Sequence, residues 1–427
     1  MSGSKRRLFI PAAALSVLSV AFLAGFTVER SLGTRDPAPR SSLVALNDSL
    51  IREAWNVIDQ NYVDRPAVQS ESLTYGAIQG MVDALGDTGH SRFLTPQMVQ
   101  SERSLLRGSY VGVGLEIAMR NGRATIVAPM DNSPASSAGL HSGEQIIKVE
   151  GRDISQLPID QLAQQIMGPA GSTVILSILD PRAGTTFDVP LVRAEIRVNN
   201  VSWQLIPGSR FADLRIAAFS QGVTAGVKAA LEEIQRQGLP GAVLDLRNNP
   251  GGQLSEAIGV ASQFISSGEV LLERDARGDV RPDHVVPGGV ALSLPLVVLI
   301  DGGTASAAEI VAGALQSQGR ASLAGETSFG TGTVLQMFRL SDGSQILLAV
   351  EEWLTPQGTT IWHKGLTPGT LIELKPDAEI MTPSTLRDMT REAFLSGGDL
   401  QLIKAVEMLS RKTDTSGRST SALGTRG

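Results

Sequence analysis

Asp301-Gly302-Gly303-Thr304-Ala305-Ser306-Ala307-Ala308-Glu309-Ile310-Val311-Ala312-Gly313 follows the apolar run 294–300 and opens into a helix-like pattern. An apolar run of seven residues ending in Asp-Gly-Gly is the pattern of a buried strand closed by a turn. The small residues after it let the chain bend sharply into the next element. A serine on such a strand-to-helix turn can stand clear of bulky neighbours, with backbone N–H groups beside it, as a nucleophile requires. Its simpler reading is a helix cap, a role serine fills routinely.

A second glycine-rich stretch, Gly325-Glu326-Thr327-Ser328-Phe329-Gly330-Thr331-Gly332-Thr333-Val334, lies about 25 residues on. A third, Asp245-Leu246-Arg247-Asn248-Asn249-Pro250-Gly251-Gly252, follows a short apolar strand and precedes a helical pattern. Together these three segments resemble the active-site core of the carboxy-terminal processing peptidases, the tail-specific serine/lysine proteases that carry a PDZ domain. The resemblance spans roughly residues 45–370 and keeps the family's motif order. It implies an α/β fold: a ClpP/crotonase-like peptidase core with an N-terminal helical region and a mostly β PDZ domain.

The same resemblance assigns roles. Ser306 would be the nucleophile, with Glu309 completing Ser-x-x-Glu. The N–H groups of Gly251 and Ala307 would form the oxyanion hole, where glycine lets an amide face a cavity unobstructed. Asp245 and Arg247 would order the loop through a charge-assisted pair. For these two and for Glu309, a buried structural role without chemistry is the preferred reading. One departure matters more than the matches. Thr331 stands where the family places its general-base lysine, and threonine has no comparable basicity. The family's glutamine, four residues later, is also displaced: Leu335 holds that spacing and Gln336 is one further on. His90, His363 and Lys364 are the candidate replacement bases, and none is selected by spacing. The expected function is therefore an envelope-located endopeptidase that binds protein C-termini and cuts nearby. The alternative is a catalytically inactive homologue that binds C-termini as a scaffold. A crotonase-type acyl-CoA enzyme fits less well, since it needs neither export nor a PDZ domain.

The PDZ reading rests on residues 108–195. Gly112-Val113-Gly114-Leu115 enters an alternating strand, and Ser133-Pro134 and Gly143-Glu144-Gln145-Ile146-Ile147 follow in the family's order. By this resemblance Gly112, Val113, Gly114 and Leu115 form the loop that offers N–H groups to a terminal carboxylate. The implied partner is a protein or peptide with a free C-terminus.

At 427 residues, 42% apolar and 19% charged, the chain can bury two or three cores. A net charge of −6 without an internal basic block argues against nucleic-acid binding. The absence of cysteine removes disulfides and thiolate metal sites, and four histidines make a His-rich metal site improbable. No cofactor is implied. Lys5-Arg6-Arg7 precedes the uncharged segment 8–28, whose 21 residues would span roughly 30 Å as a helix. This predicts an uncleaved single-pass anchor with the body outside the cytoplasm, a cleaved secretory signal being the rival. Phe26 after Leu23-Ala24-Gly25 excludes a lipid-anchored cysteine. The remaining organisation is a membrane segment over 1–30, a linker over 31–42, a helical region over 43–107, the peptidase core over 196–375, a C-terminal helical segment over 376–411 and a disordered tail over 412–427. Oligomeric state is left open, the helical region being the segment that could pair subunits into a homo-oligomer.

Overall fold

A computed structural model describes residues 47–423, apart from 88–90, 121, 131–132, 142, 156, 158 and 375–379. The expected membrane segment and linker lie outside the described residues. Among the described residues, no helix is long and apolar enough to cross a membrane.

The segment expected to form the peptidase core is built on a six-stranded sheet in the order Val201–Leu205, Ala212–Ile216, Ala242–Asp245, Leu296–Ile300, Ser322–Gly325, Thr370–Leu371. The first pair is antiparallel and every other pair is parallel. The middle strands are buried along their whole length, because both faces of the sheet are covered. Helices Val223–Arg236, Leu254–Ala261 and Ala307–Ser317 pack into the core on one face. On the other, Val243, Val297, Leu299 and Ala324 meet Met381, Leu386, Phe394, Leu402, Ala405 and Leu409 of the C-terminal segment. The fold class is thus the expected α/β arrangement.

Parallel pairing has one consequence for function. Asp245, Ile300 and Gly325 end their strands at the same edge, so the three glycine-rich segments of the sequence leave the sheet side by side. Ligands and reacting groups of open α/β sheets gather at this carboxyl edge.

A second sheet carries Gln345–Leu354 at its centre, paired with Thr333–Arg339 along one side. On the other side sit Glu269–Asp275 and, further along, Arg92–Leu94 from the N-terminal region. The PDZ domain has its own core and the strand order Leu115–Arg120, Arg123–Pro129, Gln145–Val149, Thr173–Asp180, Thr185–Val192. Its entry strand Ser109–Gly112 pairs with its exit strand Ala194–Arg197, which closes the insertion at its neck.

The C-terminal helix runs from Leu400 to Leu423. It therefore continues past Lys412, where the Ser- and Thr-rich composition had suggested disorder. Lys412 is half-buried and its Nζ donates to Leu296 O at 3.1 Å, a tertiary contact that composition does not register.

Candidate active site

Ser306 occupies the turn at the mouth of helix Ala307–Ser317 with φ +57° and ψ −119°. A non-glycine residue held there stores on the order of 1–3 kcal/mol of strain, which the surroundings must impose. The restraints are visible on both sides. Before it, Asp301 Oδ1 accepts from the N–H of Gly303 (3.0 Å) and of Asn248 (2.8 Å), and Ala305 N–H donates to Asn249 O (2.9 Å). After it, Ser306 O accepts from Ile310 N–H in the helix, at 3.0 Å. Ser306 N–H donates to Glu309 Oε2 at 2.8 Å. The residue types are those of a capping box, but Ser306 Oγ is buried with no bonded partner. The helix-cap reading is therefore only half realised: the backbone of Ser306 is engaged and its hydroxyl is free.

Glu309 is fully buried and accepts four hydrogen bonds. Oε1 takes Ser328 Oγ–H (2.5 Å) and Gly330 N–H (2.7 Å), while Oε2 takes Ser306 N–H and Thr331 N–H (3.0 Å). Burial pushes its pKa up, and the four donors pull in the opposite direction. With four hydrogen bonds accepted, Glu309 ties the serine turn to the Gly330-Thr331-Gly332 loop. Phe329 N–H, donating to Thr304 O at 2.9 Å, is a second tie between them.

Thr331 itself is buried, between two glycines that packing requires. A Cβ on Gly332 would lie 2.4 Å from Trp362 Cα, and one on Gly330 would lie 2.7 Å from Gly365 N. Both glycines also have positive φ. Leu335, at the spacing of the family's glutamine, is buried in the main core, and Gln336 is the next residue on the strand, opposite Leu348. A register irregularity lies between Val334 and Leu335, where the strand leaves the site.

The candidate bases separate clearly. His90 lies outside the described residues. His363, held at φ +58°, donates its N–H to Gly330 O at 3.0 Å, and its exposed ring stacks on Trp362. Lys364 is also exposed. Among the described residues, no basic side chain is hydrogen-bonded to Ser306 Oγ.

The Asn248–Gly252 turn lies against the serine. A Cβ on Gly251 (φ +100°) would come within 2.6 Å of Ser306 Cβ and 2.9 Å of Ala307 N, so only glycine fits. Asn249, which sequence reading passed over, is wholly buried and holds this turn together. Its Nδ2 donates to Ile216 O (2.7 Å) and its Oδ1 accepts Gly251 N–H (2.9 Å). Ala307 is the first helical residue, so its N–H has no partner within the helix.

Beneath the turn is a buried charge cluster. Arg247 Nη2 and Nε reach Asp245 at 2.8 and 2.9 Å, and Nη1 reaches Asp399 at 2.8 Å. Arg215 adds a bond to Asp245 Oδ2 at 3.1 Å. Burial alone would raise Asp245, but Arg247 and Arg215 hold it below the usual carboxylate range. Asp213, on the neighbouring strand, is fully buried and neither of its oxygens has a hydrogen-bond partner. Two arginines face three aspartates, so electroneutrality is met when Asp213 carries a proton. Burial, reinforced by Asp245, raises its pKa well above the ordinary value.

The folded chain holds the Asp213 proton where the unfolded chain, with an ordinary pKa of about 4, releases it. This group's contribution to stability is therefore greatest below the unfolded pKa and is lost as pH rises through the folded value. Asp213→Asn should remove that dependence. Thermal unfolding of parent and variant at pH 4 to 7 should show the variant's advantage widening with pH, and parallel curves would refute the assignment.

In the PDZ domain, Gly114 has φ +73°, and a Cβ there would fall 2.2 Å from Ser133 Cβ. Val113 O accepts Ala135 N–H, and Gly114 O accepts Met130 N–H, so the loop is anchored through its carbonyls. Gly112 is in the neck strand, opposite Ala194. Leu115 starts an edge strand of the domain's main sheet, with Arg123–Pro129 as its only neighbour there among the described residues.

A strained serine with a free hydroxyl, a glycine turn packed against it and an attached PDZ domain define a serine peptidase of the PDZ-bearing class. Sequence comparison bears this out: the profile of Peptidase family S41 matches residues 210–372, and that of the PDZ domain matches residues 100–179. A carboxyl-terminal-processing protease of Synechocystis sp. is 34% identical over 83% of this chain and 84% of its own. The carboxy-terminal processing protease CtpB of Bacillus subtilis is 32% identical over 79% and 70%. Among solved structures, a putative S41 protease from Bacteroides fragilis shares the fold, with TM-score 0.51 and 20% identity, covering 88% of this chain and 99% of that one. The chain belongs to the carboxyl-terminal processing protease family.

Proposed function

We propose that this protein is an envelope-located serine endopeptidase that takes a protein's C-terminus into its PDZ domain and cleaves the polypeptide nearby. The observation that carries the proposal is Ser306: a strained, buried serine whose hydroxyl is free while its backbone is fixed on both sides. Ser306 Oγ would attack the scissile carbonyl carbon. Negative charge then develops on the carbonyl oxygen beside Ala307 N–H and the Gly251 turn, each such donor being worth about 2.7–4 kcal/mol of barrier. Gly251 N–H is bonded to Asn249 Oδ1, so it would share its proton between that acceptor and the oxyanion. Thr331 fills the family lysine's position without its basicity, and the proton of Ser306 goes to a base supplied elsewhere, with His90, His363 and Lys364 as the candidates.

A terminal carboxylate would meet the Gly112–Leu115 loop, and the preceding residues would add to the free edge of strand Leu115–Arg120. The location rests on the basic-then-apolar N-terminus. One observation favours the second reading, a C-terminus-binding homologue without catalysis: no described basic group is bonded to Ser306 Oγ. Hydrogen bonds of this kind are often long before substrate binds, which keeps the catalytic reading in front.

The test compares one unstructured substrate with a free and with an amidated C-terminus. Cleavage of the free form should be faster by about tenfold or more, as expected from losing a charge-assisted contact. Equal rates would refute recognition through the C-terminus. Binding of the free form without any cleavage would establish the second reading.

A further inference from the structure

We propose that Asp399 is a positioning residue for the active site, acting through Arg247 on the Asn248–Gly252 turn. The inference rests on the reading above in that the turn faces the acyl oxygen. Arg247 is the last residue before that turn, and its guanidinium is fully buried. Asp245 takes Nε and Nη2, both from within the same strand and turn. Nη1 is bound from the C-terminal segment, by Asp399 Oδ1 and Oδ2 at 2.8 and 3.0 Å and by Gln401 Oε1 at 3.2 Å.

The Asp399 carboxylate has two further tasks. Oδ1 accepts Leu402 N–H at 3.0 Å, at the start of helix Leu400–Leu423, and Oδ2 accepts Met381 N–H at 2.9 Å. One buried anion therefore caps the C-terminal helix and holds Arg247, so docking of that helix and orientation of the arginine are a single event. The next residue, Asn248, sits in the left-handed region at φ +54°, and its N–H is held by Asp301 Oδ1 on the serine turn. Arg247 O is in turn bonded to Arg215. Asp399 stands outside the stretch matched by the peptidase profile, so the segment beyond residue 372 becomes part of the working site.

Asp399→Asn tests this, because asparagine keeps one acceptor oxygen for the helix cap while it removes the charge and turns the other acceptor into a donor. Amide hydrogen exchange of the full chain, followed by mass spectrometry, reads the outcome. Peptides spanning 246–253 should exchange faster by about tenfold or more, the effect of losing a buried bond to a charged group. Peptides from helix Val223–Arg236 and from the PDZ domain should not change, and Asp399→Glu should partly restore protection. Where the parent cleaves, kcat should fall with KM for the C-terminal substrate unchanged. Unchanged exchange at 246–253, or a uniform rise across the chain, overturns the proposal. A rise confined to the turn in a protein that cleaves nothing supports the positioning role and refutes the peptidase reading alone.

Discussion

Ser306→Ala should abolish cleavage of an unstructured protein, with a fall in kcat on the order of 10⁶-fold, the cost of removing a serine nucleophile. The size follows from the geometry. Nothing else at the carboxyl edge of the sheet offers a buried, unbonded oxygen beside the first N–H of a helix, among the described residues. The substitution should leave the fold intact, because Ser306 Oγ makes no bond whose loss would destabilise the turn. Equal melting temperatures for parent and variant would confirm that the loss is chemical. Thr331→Lys belongs in the same experiment, since its site lies between two glycines that already hold the loop in place. A silent parent with an active Thr331→Lys variant would mean that the base alone was lost. Parent cleavage that survives in Ser306→Ala would remove Ser306 from the mechanism.

Arg247→Met should destabilise the protein by about 3–5 kcal/mol, because it leaves buried carboxylates without their partner. Among the described residues, Asp399 would lose its only arginine and Asp245 would keep Arg215 alone. The melting temperature should drop on the order of 10 °C. A second replacement, Asp399→Asn, made in the Arg247→Met background should recover part of the loss, since asparagine keeps an acceptor for the helix cap while removing the orphaned charge in which the penalty lies. Additive losses in the double variant would show instead that the guanidinium acts mainly by filling space. The prediction also separates stability from function: the double variant should refold the sheet yet leave the Asn248–Gly252 turn unsupported.

The core motifs were legible because each reports a local constraint. Asp-Gly-Gly after an apolar run announces a turn, and glycines flanking a single residue announce close backbone approach. The structure gives the reason in Gly251 against Ser306 and Gly332 against Trp362. The PDZ domain was legible for the same reason, as a series of turns and paired aliphatic strands. Asn249, Asp213 and Asp399 left no comparable signal. Asn249 sits in a loop whose composition already suggests a turn. Asp213 alternates with apolar residues like any strand polar group, and Asp399 reads as an ordinary helix cap. Ser- and Thr-rich composition describes a chain alone, whereas the described part of the tail, as far as Leu423, continues a helix packed against the sheet.

The sequence by itself determined which segments leave the sheet as turns, and it singled out Ser306 on one turn and Thr331 between the glycines of another. These depend on residue type and short spacing. Tertiary structure alone decided that Glu309 clamps the serine to the Gly330-Thr331-Gly332 loop with four bonds. It also decided that Arg247 is held from 152 residues away by Asp399. Such contacts join groups that only parallel strand pairing and the covering C-terminal helix bring together, and in the dry interior their energies depend on every neighbour at once.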